Sequence, residues 1–398
     1  MYAVVELARF VDEVRTFLDE KLSAELRRAG ALCAGIYADQ PVALQWHRIL
    51  NEQGWAVPSW PQEYGGTGWS LEQHAIFQRE LTLATAPPIS PNSTRMVGPV
   101  VIEYGSPAQK SHYLPRIRTG EDWWAQGYSE PGAGSDLASL QCAAVRDGDD
   151  YVINGSKIWT THAHWSNKIF ALVRTDASGK PQQGISFLLF DLDLPGIEIK
   201  PLISISGDHE FNQVFFTDVR VPVSGLLGEE HKGWTVAKYL LQHERGGKHA
   251  TALGTRLRQL QEFLAAEHSA GKTSLLQDAD FLRKLRAFEI ELTTFGSFEN
   301  RVFSAVLSGE PVGSMSSALK VRSTELRQQI TELVIEASAY YGLAQQTQAR
   351  DFNSAIEPLG SIAAAKAMPQ YLNDRAATIY AGSNEIQRNI MAKAVLGL

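Results

Sequence analysis

Three observations predict an α+β protein in which a β domain is set between two helical ones. Near the start, Leu7, Phe10, Val11, Val14 and Leu18 recur at three- and four-residue steps with charges between them, the period of an amphipathic helix. From about Trp123 to Pro222 the texture changes to short β-branched runs broken by Gly, Pro and Asn. From Gly233 onward long helical stretches return, punctuated by Gly271, residues 309–313 and residues 342–351. The expected domains are residues 1–122, 123–232 and 233–398.

Taken in order, helices are expected from Val4 to about Leu50. The turn-rich stretch 54–68 interrupts them, and helical periodicity resumes from Leu71 through Gln109 and Lys110. Tyr151-Val152-Ile153 is a β-branched run that ends on Asn154-Gly155, a hairpin signal. Residues 169–173, 185–190 and 214–216 read as further strands, with Pro195-Gly196 and Gly207 as turns between them. The Glu229–Trp234 stretch reads as the start of a long helix. No internal repeat is visible.

The 398 residues suffice for a large core, and 44% hydrophobic with 20% charged residues is ordinary for a globular protein. A formal net charge of −7 argues against nonspecific nucleic-acid binding. Two cysteines, Cys33 and Cys142, form neither a disulfide framework nor a metal spacing. There is no signal-peptide pattern and no run of about 18 apolar residues. The expectation is a cytoplasmic protein with no nucleic-acid partner and no membrane span.

The most informative local feature is residues 126–136, Q-G-Y-S-E-P-G-A-G-S-D, followed by residues 154–161, N-G-S-K-I-W-T-T. Gly127, Gly132 and Gly134 free the backbone to approach a ligand and to aim N–H groups at anionic oxygen. Tyr128, Ser129, Ser135 and Thr161 add hydroxyls, and Trp159 adds a flat aromatic face. A planar, electron-poor ring with hydrogen-bonding edges and a pyrophosphate tail, such as a flavin, needs those residue types. The plainer alternative is a Gly-rich hairpin with one core tryptophan.

Together these segments resemble the flavin-contacting region of the acyl-CoA dehydrogenase family. Others agree in the family's order: V-P-S-W-P with E-Y-G-G-T-G (residues 57–68), G-S-P-A-Q-K with L-P (105–115), F-T-D-V-R-V-P (216–222) and Y-A-G-S-N-E-I-Q-R (380–388). The likeness is colinear over nearly the whole chain. It implies an acyl-CoA dehydrogenase-like fold whose C-terminal domain is a four-helix bundle. FAD would lie between the β domain and that bundle, with some contacts crossing a subunit boundary. It also implies α,β-dehydrogenation of an acyl-CoA thioester to the 2-enoyl-CoA, with hydride passing to flavin N5 and electrons to an electron-transferring flavoprotein.

That reaction needs a carboxylate base for the α proton and donors for the carbonyl oxygen where enolate charge builds. The family commonly places the base just before the glycine of the terminal signature, a position occupied here by Ala381. Its second solution is a glutamate before an arginine on the first long helix of the bundle, which matches Glu244-Arg245. Glu244 is therefore the expected base and Arg245 a substrate-cavity residue; the alternative is a solvated helix pair. A helix turns about 100° per residue, so adjacent His243 should face elsewhere. By resemblance, Tyr128, Ser129, Trp159 and Thr161 contact the flavin, Ser135 contacts the pantetheine side of CoA, and Ser383 and Glu385 reach the ADP part of FAD. For the last two, a helix cap and an exposed acid are the alternatives.

The likeness fails at the cofactor contact that crosses between subunits. Many members carry an R-x-F-G motif that binds the flavin pyrophosphate of a neighbouring subunit, whereas residues 267–275 read E-H-S-A-G-K-T-S-L and Thr294-Phe295-Gly296 lies too far along. The usual glycine-rich turn further on is Ala339-Tyr340-Tyr341-Gly342-Leu343. Either Lys272 neutralises the pyrophosphate in a homodimer or homotetramer, or a paralogous dehydrogenase subunit supplies the arginine in a heteromer. Competing functions on the same fold are a flavin-dependent oxidase or monooxygenase, and a subunit that only completes a partner's site.

Overall fold

The computed structural model describes residues 2–244, 249–269, 275–308, 310 and 312–398. The chain begins with α1 (Tyr2–Lys21), α2 (Ala24–Leu32) and α3 (Gln40–Glu52), then α4 (Leu71–Leu83), α5 (Gly98–Tyr104) and α6 (Pro107–Thr119). On α1 the buried stripe is Phe10, Val14, Phe17 and Leu18, which meets Trp46, Trp55 and Phe77 in one cluster. Leu7 and Val11 lie at its half-buried margin. Two reciprocal caps start helices: Ser70 with Gln73 on α4, and Ser106 with Gln109 on α6. The Gln109 amide does more than cap. Its Nε2 donates to Ser224 O and Leu226 O, both at 2.9 Å, and so ties α6 to the end of the β region.

The β region holds β1 (Trp124–Gly127), β2 (Ala143–Asp147), β3 (Asp150–Lys157), β4 (Lys168–Arg174), β5 (Ile185–Asp191), β6 (Ile197–Ile203) and β7 (His209–Pro222). They form one sheet in the order β1-β4-β2-β3-β7-β6, with β5 on β4. Strands β4 and β5 are continuous apolar runs because both their faces are covered. Phe170, Leu172, Phe187 and Leu189 face the helical core containing Trp60, Val100 and Leu114, while Ile169, Ala171, Leu188 and Phe190 face Tyr151, Val214 and Val219.

The hairpin expected at Asn154-Gly155 is not there. Strand β3 runs through both residues to Lys157, with a register shift between Ile153 and Gly155 in its pairing with β7. Gly155 adopts φ +143°, and a Cβ there would come within 2.8 Å of Cys142 Cα. The Asn-Gly pair marks a bulge, not a turn. Asn154 instead cross-links to Asp218 by two hydrogen bonds of 2.9 and 3.0 Å. The actual hairpin joins β2 to β3 at Gly148, φ +63°.

The C-terminal region contains α7 (Gly233–Glu244), α8 (His249–Ser269), α9 (Ala279–Leu307), α10 (Met315–Ser338), α11 (Thr347–Arg350), α12 (Ile362–Asp374) and α13 (Asn384–Met391). Helices α8, α9 and α10 share a core of Leu253, Leu260, Phe281, Phe288, Phe295, Leu326 and Ile330. Phe295 of the displaced T-F-G sequence is thus a bundle-core residue. Helices α12 and α13 pack on α10, and α7 packs on β5 and on a π-helical turn, Asn92–Val97. The fully buried Asp374 carboxylate meets Arg256 Nη1 at 2.6 Å and Arg327 Nε at 2.5 Å, locking α8, α10 and α12 together. Among the described residues no helix is long and apolar enough to cross a membrane.

Candidate active site

The Gly-rich segment after β1 is held to β3 by a buried ion pair. Lys157 is fully buried, and its Nζ donates to Glu130 Oε1 at 2.7 Å and to Tyr128 O at 3.2 Å. The Glu130 carboxylate also accepts from Gln141 N at 2.7 Å and Cys142 N at 3.0 Å. Ser129 O accepts from Ile158 N at 2.9 Å, which sets the 128–129 backbone beside the chain leading to Trp159. Residues 130–133 close in a tight turn through two hydrogen bonds between Glu130 and Ala133. The glycines differ in role. A Cβ at Gly127 would lie 2.9 Å from Ile169 Cδ1, so that glycine serves sheet packing, whereas Gly132 and Gly134 border open space.

Trp159 is no core tryptophan. It is 60% exposed at φ +59°, with Phe211 against it edge-on at 6.1 Å. His162, at φ +57°, ends the same turn. A large indole held outward on strained backbone, beside half-buried Ser129 and Thr161, suits a planar ligand laid on its open face. Thr160 Oγ1 and His162 Nδ1 are buried in this turn without a hydrogen-bond partner among the described residues. Burial and the neighbouring His164 and His209 push His162 down to about 3.

Three parts of the chain converge next to the turn. Glu210 of β7 is buried. Its Oε1 accepts from Ile36 N at 3.0 Å, its Oε2 from Asn373 Nδ2 at 2.7 Å, and its backbone O from His162 N at 2.9 Å. One residue thereby joins the segment after α2 and α12 through its side chain and the Trp159 turn through its backbone; burial raises its carboxyl above the usual range. Tyr37 meets His162 edge-on at 6.3 Å. Arg327 Nη1 donates to Tyr380 Oη at 3.1 Å, directly before Ala381. Burial lowers Arg95 and pushes His249 down to about 4. Lowering by Arg327 and Arg95 places His249 within electrostatic reach of both.

Glu244 is the last residue of α7, the helix packed on the turn that carries Arg95, but its side chain and that of His243 lie outside the described residues, as do Arg245 and Lys272. Ala381, where the family's usual base stands, sits at φ +55°. Ser383 caps α13 by accepting from Ile386 N at 3.4 Å, and Glu385 is exposed in the first turn of that helix. Its carboxyl is held below the usual range by hydrogen bonds to its own backbone and to Ser383. Ser135 is exposed in the Gly-rich segment. Sequence reasoning passed over Glu130, Lys157, Glu210 and Asn212. The available signal was polar residues at inward register: β7 buries 210, 212, 214 and 216 in alternation.

Comparison with known proteins places the whole chain. Three family models match consecutive stretches: acyl-CoA dehydrogenase N-terminal domain at residues 6–121, middle domain at 125–219 and C-terminal domain at 231–396. Acyl-CoA dehydrogenase IpdE1 of Mycobacterium tuberculosis is 35% identical over 354 residues, 89% of this chain and 87% of that one. Among solved structures, the Tcur3481-Tcur3483 steroid ACAD superimposes with a TM-score of 0.84 at 29% identity, covering 99% of this chain and 98% of that one. The ChsE4-ChsE5 complex from Mycobacterium tuberculosis gives 0.81 at 30% identity, covering 99% and 97%.

Proposed function

Because this chain belongs to the acyl-CoA dehydrogenase family, we propose that it oxidises the α,β bond of an acyl-CoA thioester to the 2-enoyl-CoA, with Glu244 taking the α proton. The observation that carries the reading is the Trp159 turn, an outward indole on positive-φ backbone beside Ser129 and Thr161. FAD fits that surface and, when bound, supplies the hydride acceptor. Tyr128, Ser129, Trp159 and Thr161 would hold its ring, and Ser383 and Glu385 its ADP part. Ser135 and Arg245 would meet the substrate. Ala381 carries no group able to accept a proton, so the α proton needs another carboxylate. Glu244 ends α7, the helix packed on the Asn92–Val97 turn, and a carboxylate is the group type that the α-proton step needs.

Electrons would pass to an electron-transferring flavoprotein, and the protein would work in the cytoplasm. Two observations favour a heteromer with a paralogous subunit over a homo-oligomer. Residues 267–275 hold no arginine for a neighbour's pyrophosphate, and one of the similar solved structures is the ChsE4-ChsE5 complex. The similar Tcur3481-Tcur3483 protein is a steroid ACAD, which supports a bulky, steroid-derived acyl group as the substrate class.

The test is the absorbance spectrum of the purified protein, followed by anaerobic titration with a panel of acyl-CoAs, wild type against Glu244→Gln. The expected result is bound flavin that bleaches with a thioester in the wild type, and colour without bleaching in the variant, a loss of about 10²-fold or more in rate. Equal bleaching by the variant removes Glu244 as the base. Oxygen consumption with no added acceptor would favour the oxidase alternative.

A further inference from the structure

Position 212 faces the core between Glu210 and Val214, and Asn212 there is fully buried. Its Nδ2 donates to Thr160 O at 3.0 Å and faces His164 Nδ1 at 3.0 Å, while its Oδ1 faces His209 Nε2 at 2.8 Å. A backbone carbonyl only accepts, so the contact with Thr160 O fixes which amide atom is nitrogen. The tautomers follow: His209 carries a proton on Nε2, and His164 Nδ1 presents its lone pair. The two rings stack at 3.8 Å with 17° between planes, so each steadies the other against the same amide. Burial and the neighbouring His209 push His164 down to about 4, which keeps its Nδ1 an acceptor near neutral pH.

Asn212 grips Thr160 twice, because its backbone O also accepts from Thr160 N at 3.0 Å. The residues on either side of Thr160 are Trp159 and Thr161. The turn holds two non-glycine residues at positive φ, Trp159 and His162, a strained conformation that would relax without a clamp. The residue before Asn212 is Phe211, the ring that stands against Trp159.

We propose that Asn212, together with the stacked His164 and His209, is a positioning unit that sets the angle at which Trp159 and Thr161 meet the flavin. These residues act through the Thr160 backbone and do not touch the ligand. The inference rests on the reading of Trp159 and Thr161 as flavin contacts.

It is tested in the full-length chain, in the oligomer in which it purifies, by two readouts: hydrogen exchange of the peptide spanning residues 158–163, and FAD affinity from flavin fluorescence. Asn212→Ala and the half-buried His164→Leu should both raise exchange in that peptide and weaken FAD about tenfold, the worth of a neutral hydrogen bond. His164→Gln, which restores an acceptor for the Asn212 amide, should return both readouts to wild type. Trp159→Ala is the reference. If it weakens FAD while Asn212→Ala and His164→Leu leave exchange and affinity unchanged, the positioning role is wrong. If Trp159→Ala binds FAD as wild type does, the flavin reading of the turn fails, and the inference with it.

Discussion

Lys157→Met isolates the buried ion pair that holds the Gly-rich segment. Methionine matches the aliphatic stem of lysine, so the change removes the ammonium and leaves little void. What remains is the buried Glu130 carboxylate with two of its contacts, Gln141 N and Cys142 N, and without the Nζ at 2.7 Å. Breaking a buried pair from one side costs about 3–5 kcal/mol, and the two surviving N–H donors put this variant at the low end, about 3 kcal/mol. Glu130→Leu should cost more, because it strands a buried ammonium and two backbone donors together. A loss of about 3 kcal/mol lowers Tm on the order of 10 °C if the β region unfolds as one unit. The assay is a thermal melt paired with FAD affinity. The latter should fall as well, since Tyr128 O is the second partner of Lys157 and Ser129 follows it. A Lys157→Met protein with wild-type Tm and FAD affinity would refute the claim that this pair organises the segment.

Two further outcomes are expected. His162 titrates near 3 in the folded chain against about 6.5 unfolded, so stability is fully present above pH 6.5 and is lost as pH falls toward 3. By pH 5 the loss from this residue is about 2 kcal/mol; His164 and His249 push in the same direction, and the raised Glu210 carboxyl opposes them in its own range. Melts at pH 7 and pH 5 should show a smaller drop for His162→Asn, which tolerates the αL backbone, than for the wild type. Gly155→Ala should destabilise the β region by at least about 2 kcal/mol, from φ +143° and the 2.8 Å contact with Cys142 Cα, read as a fall in Tm. An unchanged melt would mean the bulge carries no constraint.

The site gathers side chains from regions distant in sequence, and this explains its dependence on buried polar contacts. Glu210 reaches Ile36 and Asn373, partners 174 and 163 residues away. Arg327 links Asp374 to Tyr380 beside Ala381. Apolar packing alone would allow such segments to slide, whereas a buried carboxylate accepts only donors that meet it at hydrogen-bond distance.

By itself the amino-acid sequence determined the succession of helix, sheet and helix, because those patterns are local. The α1 stripe, the caps at Ser70 and Ser106, and the apolar runs of β4 and β5 each depend on neighbours within a few residues. Its motifs also determined the family. Strands β1, β2 and β6 escaped reading because they are short or lack a continuous apolar run, and what identifies them is the strand each pairs with. Asn154-Gly155 misled for the same reason: a bulge and a turn ask for the same backbone freedom, and only the pairing of β3 with β7 separates them. The tertiary structure alone decided that Trp159 points outward, and that Lys157, Glu210 and Asn212 are interior. A charged or amide side chain is stable inside only when a partner meets it, and those partners sit 27, 163 and 52 residues distant.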